Sequence, residues 1–227
     1  INLFLDVLGK RLDHYHDLEM VMAPIELHDN LTFESIEEDT IELIESIAVC
    51  DDKKDNLVYQ VAAYLKQTYG IQKGVRITLE KNIPIAAGLA GGSADAAATL
   101  RGLNKLFKLK LSKGEIAKIG EKFGADIPYC VYNKLCIARG KGEDLFFLNK
   151  RLNWPVLIVT PPLLVSTKKV FQSIQEKDIK PRKITNMTNA IYNKNKTLVI
   201  KELYNALTNH TFSLFNDVKI LSDMIKG

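Results

Sequence analysis

The chain has 227 residues, 46% hydrophobic and 26% charged, a globular composition with room for one large or two small domains, and extensive disorder is excluded. Its formal charge of +4 (31 − 27) is uneven: residues 1–165 carry 20 basic and 22 acidic side chains, residues 166–227 carry 11 and 5. Few aromatics interleave with that basic excess and no stripe is dense, so solubility explains it better than a nucleic-acid track.

Ile1–Leu8 alternates as a strand, and the polar segment Lys10–Asp17 bends the chain. Extended runs at Leu18–Ile25 and Leu31–Ile36 flank the turn-like His28-Asp29-Asn30, which makes the N-terminal third β-rich. Asp55 is a candidate cap for a helix carrying Leu57, Val61, Ala62, Leu65 and Tyr69, with Gly70 as its stop. Val75–Leu79 reads as a strand, and Ile85–Thr99 as strand, glycine loop and helix. Ser112 and Glu115 form a capping box for a helix bearing Ile116, Ile119 and Phe123 and closed by Gly124. Leu135–Ala138 and Val156–Val159 are predicted strands, with Gly140 and Gly142 in a turn between them. Past Pro161 and Pro162 the composition shifts to Lys and Asn, which places a domain boundary near residue 160. Helical patterns follow at Lys168–Ile174 and Leu198–Leu207, and Phe212–Lys226 is amphipathic.

The three cysteines, Cys50, Cys130 and Cys136, are odd in number and lack CxxC spacing, which supports neither a disulfide framework nor a zinc knuckle and fits a reducing compartment. The longest apolar run, Val156–Val165, is broken by Thr160, Pro161 and Pro162 and falls short of the roughly 20 residues a spanning helix needs. The chain opens at Ile1 inside an alternating segment, so it reads as a fragment of a longer protein.

Gly88, Gly91 and Gly92 remove the Cβ atoms that would keep a phosphate off the main chain, leaving N–H groups free to converge on its oxygens. Ser93 is a candidate N-cap, and a helix starting there adds its unpaired first-turn donors and dipole to the same anion site. The run Ala94–Ala98 suits that helix, with Asp95 as a first-turn dipole partner or a metal-facing carboxylate. A tight strand-to-helix turn without ligand is the simpler alternative, but three glycines, a serine and a helix start coincide here. No lysine follows the last glycine as in a Walker A loop, and the spacing is not GxGxxG. Asp126, between Gly124 and Ile127-Pro128, has the setting of a turn or cap residue as well as of a general base. His14 and His16 lack a third metal ligand, and His28 and His210 receive no role.

Pro84–Ala96 resembles the phosphate loop of the GHMP kinase superfamily, with Gly92-Ser93 as its Gly-Ser step. Within that superfamily the chain is similar to the 4-diphosphocytidyl-2-C-methyl-D-erythritol kinases of non-mevalonate isoprenoid synthesis. That narrower resemblance is carried in order by Ile1–Val7, Lys10–His16, Asp55–Val58, Ile83–Ala97, Gly124–Pro128, Gly140–Glu143 and Ser166–Phe171, nearly the whole chain. It implies an α+β, two-domain GHMP kinase fold: an ATP and phosphate-loop domain at 1–160, of ribosomal-protein-like fold, and a partial ferredoxin-like domain at 161–227.

The resemblance also implies the site. Asp126 would be catalytic, as base or orienter of the acceptor hydroxyl. Pro84, Gly88, Leu89, Ala90, Gly91, Gly92, Ser93 and Ala94 would cradle ATP, with Asn56 and Lys81 on the nucleotide side, although loop capping and a solvated strand end explain those two equally well. Asn2, Tyr15, His16 and Phe171 would hold the cytidine-linked substrate, rings stacking on the pyrimidine and the imidazole meeting its polar edge; Phe171 as helix core is the plainer alternative. ATP and magnesium are the implied cofactors, in a cytoplasmic monomer or homodimer with no nucleic-acid or membrane partner and no resident metal. Homoserine- or mevalonate-type kinases, a non-catalytic nucleotide or sugar sensor, and an RNA-binding module are the alternatives. The family has Gly where this chain has His14, a position suited to positive φ, and it places Pro-Ala-Lys before the Ile-Asn-Leu step and a glycine-rich loop beyond Gly227, so the chain is expected to be truncated at both ends.

Overall fold

A computed structural model describes residues 1–226. Its first elements are β1 (Asn2–Lys10), β2 (His16–Met22), β3 (Asn30–Ile36), β4 (Ile41–Glu45), α1 (Leu57–Tyr69) and β5 (Gly74–Glu80). The glycine loop follows, then α2 (Gly91–Leu106), α3 (Lys113–Glu121), α4 (Ile127–Tyr132), β6 (Cys136–Gly140) and β7 (Asp144–Phe147). The remainder carries α5 (Thr167–Gln172), α6 (Thr185–Tyr192), α7 (Lys196–Lys201), β8 (Tyr204–Asn205), α8 (Thr208–Leu214) and α9 (Asn216–Lys226). The fold is α+β. Gly227, the last residue of the expected 161–227 domain, lies outside the described residues.

Packing divides the chain along a different line from the composition shift near residue 160. One compact unit holds residues 1–25, 86–88 and 134 onward, the other Glu26–Ile85 and Leu89–Asn133. In the second, β5 is the centre of a β3-β5-β4 sheet, antiparallel to β3 and parallel to β4. A parallel pair needs a crossover, which α1 supplies. Asn56, not Asp55, caps that helix by accepting from the Val58 amide, and Gly70 ends it at φ +61. Val58, Val61, Ala62 and Leu65 of α1 pack with Ala96, Ala97, Leu100 and Leu103 of α2 and with Val75, Ile77 and Leu79 of β5, all essentially solvent-free. This core fixes where α2 begins, and so the exit of the glycine loop. The Ser112–Glu115 capping box of α3 is present.

In the first unit a five-stranded sheet runs β7-β6-β2-β1-β8. Phe4 and Val21 meet Ile184, Met187, Ala190, Ile191 and Val199 in its core. The β1–β2 hairpin pairs Asn2 with Met22 at one end and Lys10 with His16 at the other. His14 in its turn adopts φ +66, the left-handed conformation expected where the family has Gly.

Two expectations are corrected. Val156–Val159 forms no strand: Pro155, Pro161 and Pro162 remove ladder donors, and Val156, Leu157 and Val159 are exposed. The helical pattern at Leu198–Leu207 ends at Lys201, because Tyr204 and Asn205 pair in parallel with Phe4 and Leu5. Phe212–Lys226 is two helices, broken at Phe215 (φ −134, ψ 83).

Candidate active site

The glycine loop leaves regular geometry at alternate residues: Ala86, Gly88 and Ala90 have φ of +54, +70 and +53. Left-handed conformations alternating with ordinary ones are the backbone pattern from which anion nests are built. Two of the three are alanines, which pay a steric cost there that glycine does not. Among the described residues the amides of residues 86–93 donate to no protein acceptor. The helix begins at Gly91 with Ala90 as its N-cap, which corrects Ser93 from cap to third helical residue. The cause is Ala90's left-handed backbone, which sets the cap three residues earlier. The first-turn amides of Gly91, Gly92 and Ser93 thereby join the loop's donors. An added Cβ on Gly92 would have only Leu57 Cδ1 near it, at 3.8 Å, so the approach is open.

Beneath the loop sits a buried charge cluster. Lys81 Nζ lies 2.5 Å from Asp29 Oδ2 and 2.8 Å from Asp95 Oδ2, with all three side chains 4% exposed or less. Asp29 Oδ1 also accepts from the amides of Asn82 (2.5 Å) and Ile83 (2.8 Å). Burial works against both charges of the Asp29–Lys81 pair, but their hydrogen bonds outweigh it, so Asp29 is held below and Lys81 above its ordinary value. Asp95 has no comparable amides, and its Oδ1 is buried without a partner; burial pushes its carboxyl up to about 6 against the pull of Lys81. Asp95 is therefore a partner of Lys81 in this structure rather than a free dipole partner or metal-facing group. The Lys81 ammonium and, through Ser46 Oγ, its amide are likewise committed within the protein. Asn56 is spent too, between the Val58 amide and Glu45.

Asp126 ends the turn after Gly124 and opens α4, with no cap hydrogen bond from its side chain. It is partly buried, and that burial raises its carboxyl above the ordinary carboxylate range. The turn runs beside the start of α2: a Cβ on Gly124 would stand 4.0 Å from Ser93 Oγ. One helical turn beyond Asp126, burial and then the Asp126 charge push the Cys130 thiol up to about 12, so it is no nucleophile.

The other candidate residues belong to the first unit. His16 is buried and stacks on Phe171 with centroids 5.6 Å apart and planes at 26°. These rings are packed on each other, so a base would stack on an outward face. Burial, then nearby Lys10, lowers the His16 pKa below its ordinary value, which favours the neutral imidazole. Tyr15 is 60% exposed, with Lys141 Nζ 5.1 Å from its ring centroid. Asn2 is exposed at the opposite end of the hairpin. Eight residue steps along β1 separate the two ends, roughly 25 Å. Lys141, in the quoted Gly140–Glu143 segment, and Asp29 are the neighbours that motif reading did not single out.

Residues 56–134 match the family described as GHMP kinases N terminal domain. The chain is 40% identical over 226 residues to the 4-diphosphocytidyl-2-C-methyl-D-erythritol kinase of a Geobacillus species, covering 100% of this chain and 78% of that protein. It is 41% identical over 223 residues to the protein of that name from Enterococcus faecalis, covering 98% and 79%. A crystal structure of 4-(cytidine 5'-diphospho)-2C-methyl-D-erythritol kinase superposes with a TM-score of 0.77 at 31% identity, over 97% of this chain and 78% of that one.

Proposed function

Because the chain belongs to the family of 4-diphosphocytidyl-2-C-methyl-D-erythritol kinases, within the GHMP kinases, we propose that it phosphorylates that cytidine diphosphate-linked polyol. The γ-phosphoryl group of ATP passes to the 2-hydroxyl of 4-diphosphocytidyl-2-C-methyl-D-erythritol, giving the 2-phosphate and ADP, a step of non-mevalonate isoprenoid synthesis. The observation that carries this reading is the run of unpaired amides at residues 86–93, wound through three left-handed residues into a helix start.

Phosphoryl transfer asks for an anchored donor, an aligned acceptor and neutralised charge, with little covalent work from the protein. Gly88, Leu89, Ala90, Gly91, Gly92, Ser93 and Ala94 anchor the phosphates. Asp126 orients the acceptor hydroxyl and takes its proton; a carboxyl raised by burial is a better proton acceptor than an ordinary one. Among the described residues no three His, Cys, Asp or Glu side chains gather around a metal. The Ser93 hydroxyl and the Asp126 carboxylate suit an ion bound chiefly by ATP phosphates and water, as magnesium is. Magnesium there supplies charge neutralisation on the transferred group. Tyr15, His16 and Phe171 receive the cytosine and Asn2 the polyol end, a division that the length of the hairpin favours. Neutral His16 offers both a donor and an acceptor to the pyrimidine edge.

In domain terms, residues 1–160 correspond to the ATP and phosphate-loop domain and 161–227 to part of the second domain. No helix among the described residues is long and apolar enough to cross a membrane. The three cysteines are free thiols, which supports a cytoplasmic location. ADP release by the full-length protein, measured with this acceptor, homoserine and mevalonate in parallel, tests the reading. Turnover confined to the cytidine-linked acceptor is expected; equal turnover of an acceptor without cytidine would overturn the substrate, and nucleotide binding without turnover would favour a sensor.

A further inference from the structure

The phosphate loop enters from β5 and leaves into α2, and the buried cluster beneath it touches both sides. Asp29, contributed by the segment before β3, accepts from the amides of Asn82 and Ile83, the last two residues before Pro84. Its second oxygen binds Lys81 Nζ, which in turn binds Asp95 Oδ2 in the second turn of α2. The approach is close because Gly91 lacks a side chain: a Cβ there would lie 3.4 Å from Lys81 Nζ and 3.1 Å from Ile83 Cγ2.

We propose that Asp29 is a positioning residue for phosphoryl transfer, clasping the entry of the phosphate loop directly and its exit through Lys81 and Asp95. The proposal rests on the nucleotide-binding role given to the loop above. Asp29, at 1% side-chain exposure, touches no substrate; it acts on the amides that do. A strained loop keeps its conformation only where its surroundings over-determine it, and Ala86 and Ala90 are held at positive φ between the two ends of this clasp. Lys81 accordingly serves as the link rather than as a nucleotide contact. Two buried carboxylates share one ammonium, so removing charge from Asp29 leaves Asp95 as its sole carboxylate partner and loosens the entry strand.

The test is Asp29→Asn in the full-length protein, with Lys81→Arg, which retains the charge, as the conservative comparison. Steady-state kinetics are measured for both substrates, together with hydrogen exchange of peptides spanning residues 83–94 and of α3 peptides as the folded reference. The expected result for Asp29→Asn is at least a tenfold rise in KM for ATP, KM for the cytidine-linked acceptor within twofold, and faster exchange in 83–94 with α3 unchanged; Lys81→Arg, with Asp29 intact, should retain most of the ATP affinity. Parental kinetics with unchanged loop exchange, or equal losses for both substrates with faster exchange in α3, would overturn the proposal. If the parent protein phosphorylates no acceptor, the functional reading fails, and loop exchange alone then decides whether the clasp holds.

Discussion

Replacing Asp95 with Asn should change how stability depends on pH, and the sign is fixed by the burial of the carboxyl. In the folded chain Asp95 titrates near 6, against 3.8 for the ordinary carboxyl. A carboxyl raised in the fold binds its proton more tightly there than in the unfolded chain, so its contribution to stability grows as pH falls through 6 and is complete below 3.8. Integrated between pH 8 and pH 5, that contribution is on the order of 1 kcal/mol. Asn cannot titrate, so the term vanishes in the variant. Lys81 and Asp29, the charged groups facing Asp95, are shifted up and down respectively, out of this window. Urea unfolding of both proteins at pH 8, 7, 6 and 5 reads the difference. The parent should gain on the order of 1 kcal/mol on the variant over that range, whatever the variant's absolute stability. Parallel profiles, or a parent that loses ground as the solution is acidified, would refute a buried carboxyl held largely by one ammonium.

Gly120→Ala should reach the proposed base through packing. Its new Cβ would fall 2.4 Å from Ile127 Cγ2 and 3.3 Å from Leu100 Cδ1, and Ile127 directly follows Asp126. Overpacking costs about 1–3 kcal/mol and the gain in helix propensity returns about 1, so a net loss of about 0–2 kcal/mol is expected in thermal unfolding. Displacement of Asp126 should lower kcat tenfold or more while KM for ATP holds. Phe171→Ala removes the ring stacked on His16 and should raise KM for the cytidine-linked acceptor roughly five- to tenfold, from a stacking contribution of about 1 kcal/mol; KM for ATP should not move, and if both constants rise together the cytidine assignment is wrong.

Local pattern was enough to expose the glycine loop and the helix after it, because three glycines, a serine and an alanine run lie within one short segment. It was not enough to show which side chains remain available to a ligand. Lys81 and Asn56 sit where the family suggests nucleotide contacts, yet their polar groups are engaged by Asp29, Asp95, Glu45 and Val58. Asp29 lies 52 residues before Lys81, a pairing made by the return of the chain along β5 and invisible to any spacing rule. The N-cap shifted from Ser93 to Ala90 because Ser has the chemistry of a cap while Ala90 has the backbone conformation that ends the loop. Val156–Val159 has strand-forming residues but neighbouring prolines and no ladder partner among the described residues, whereas acidic Ile41–Glu45 became β4 through its parallel pairing with β5. Propensity describes a segment, while a strand needs a partner.

The central claim is that the amides of residues 86–93 hold ATP while the Asp126 carboxylate serves the acceptor hydroxyl. Asp126→Asn tests it most directly, in single-turnover and steady-state assays of the full-length protein alongside its thermal unfolding. A fall in kcat of about 10²–10⁴ with both KM values within about threefold and no loss of melting temperature is predicted; a variant that retains kcat within a few-fold would contradict it.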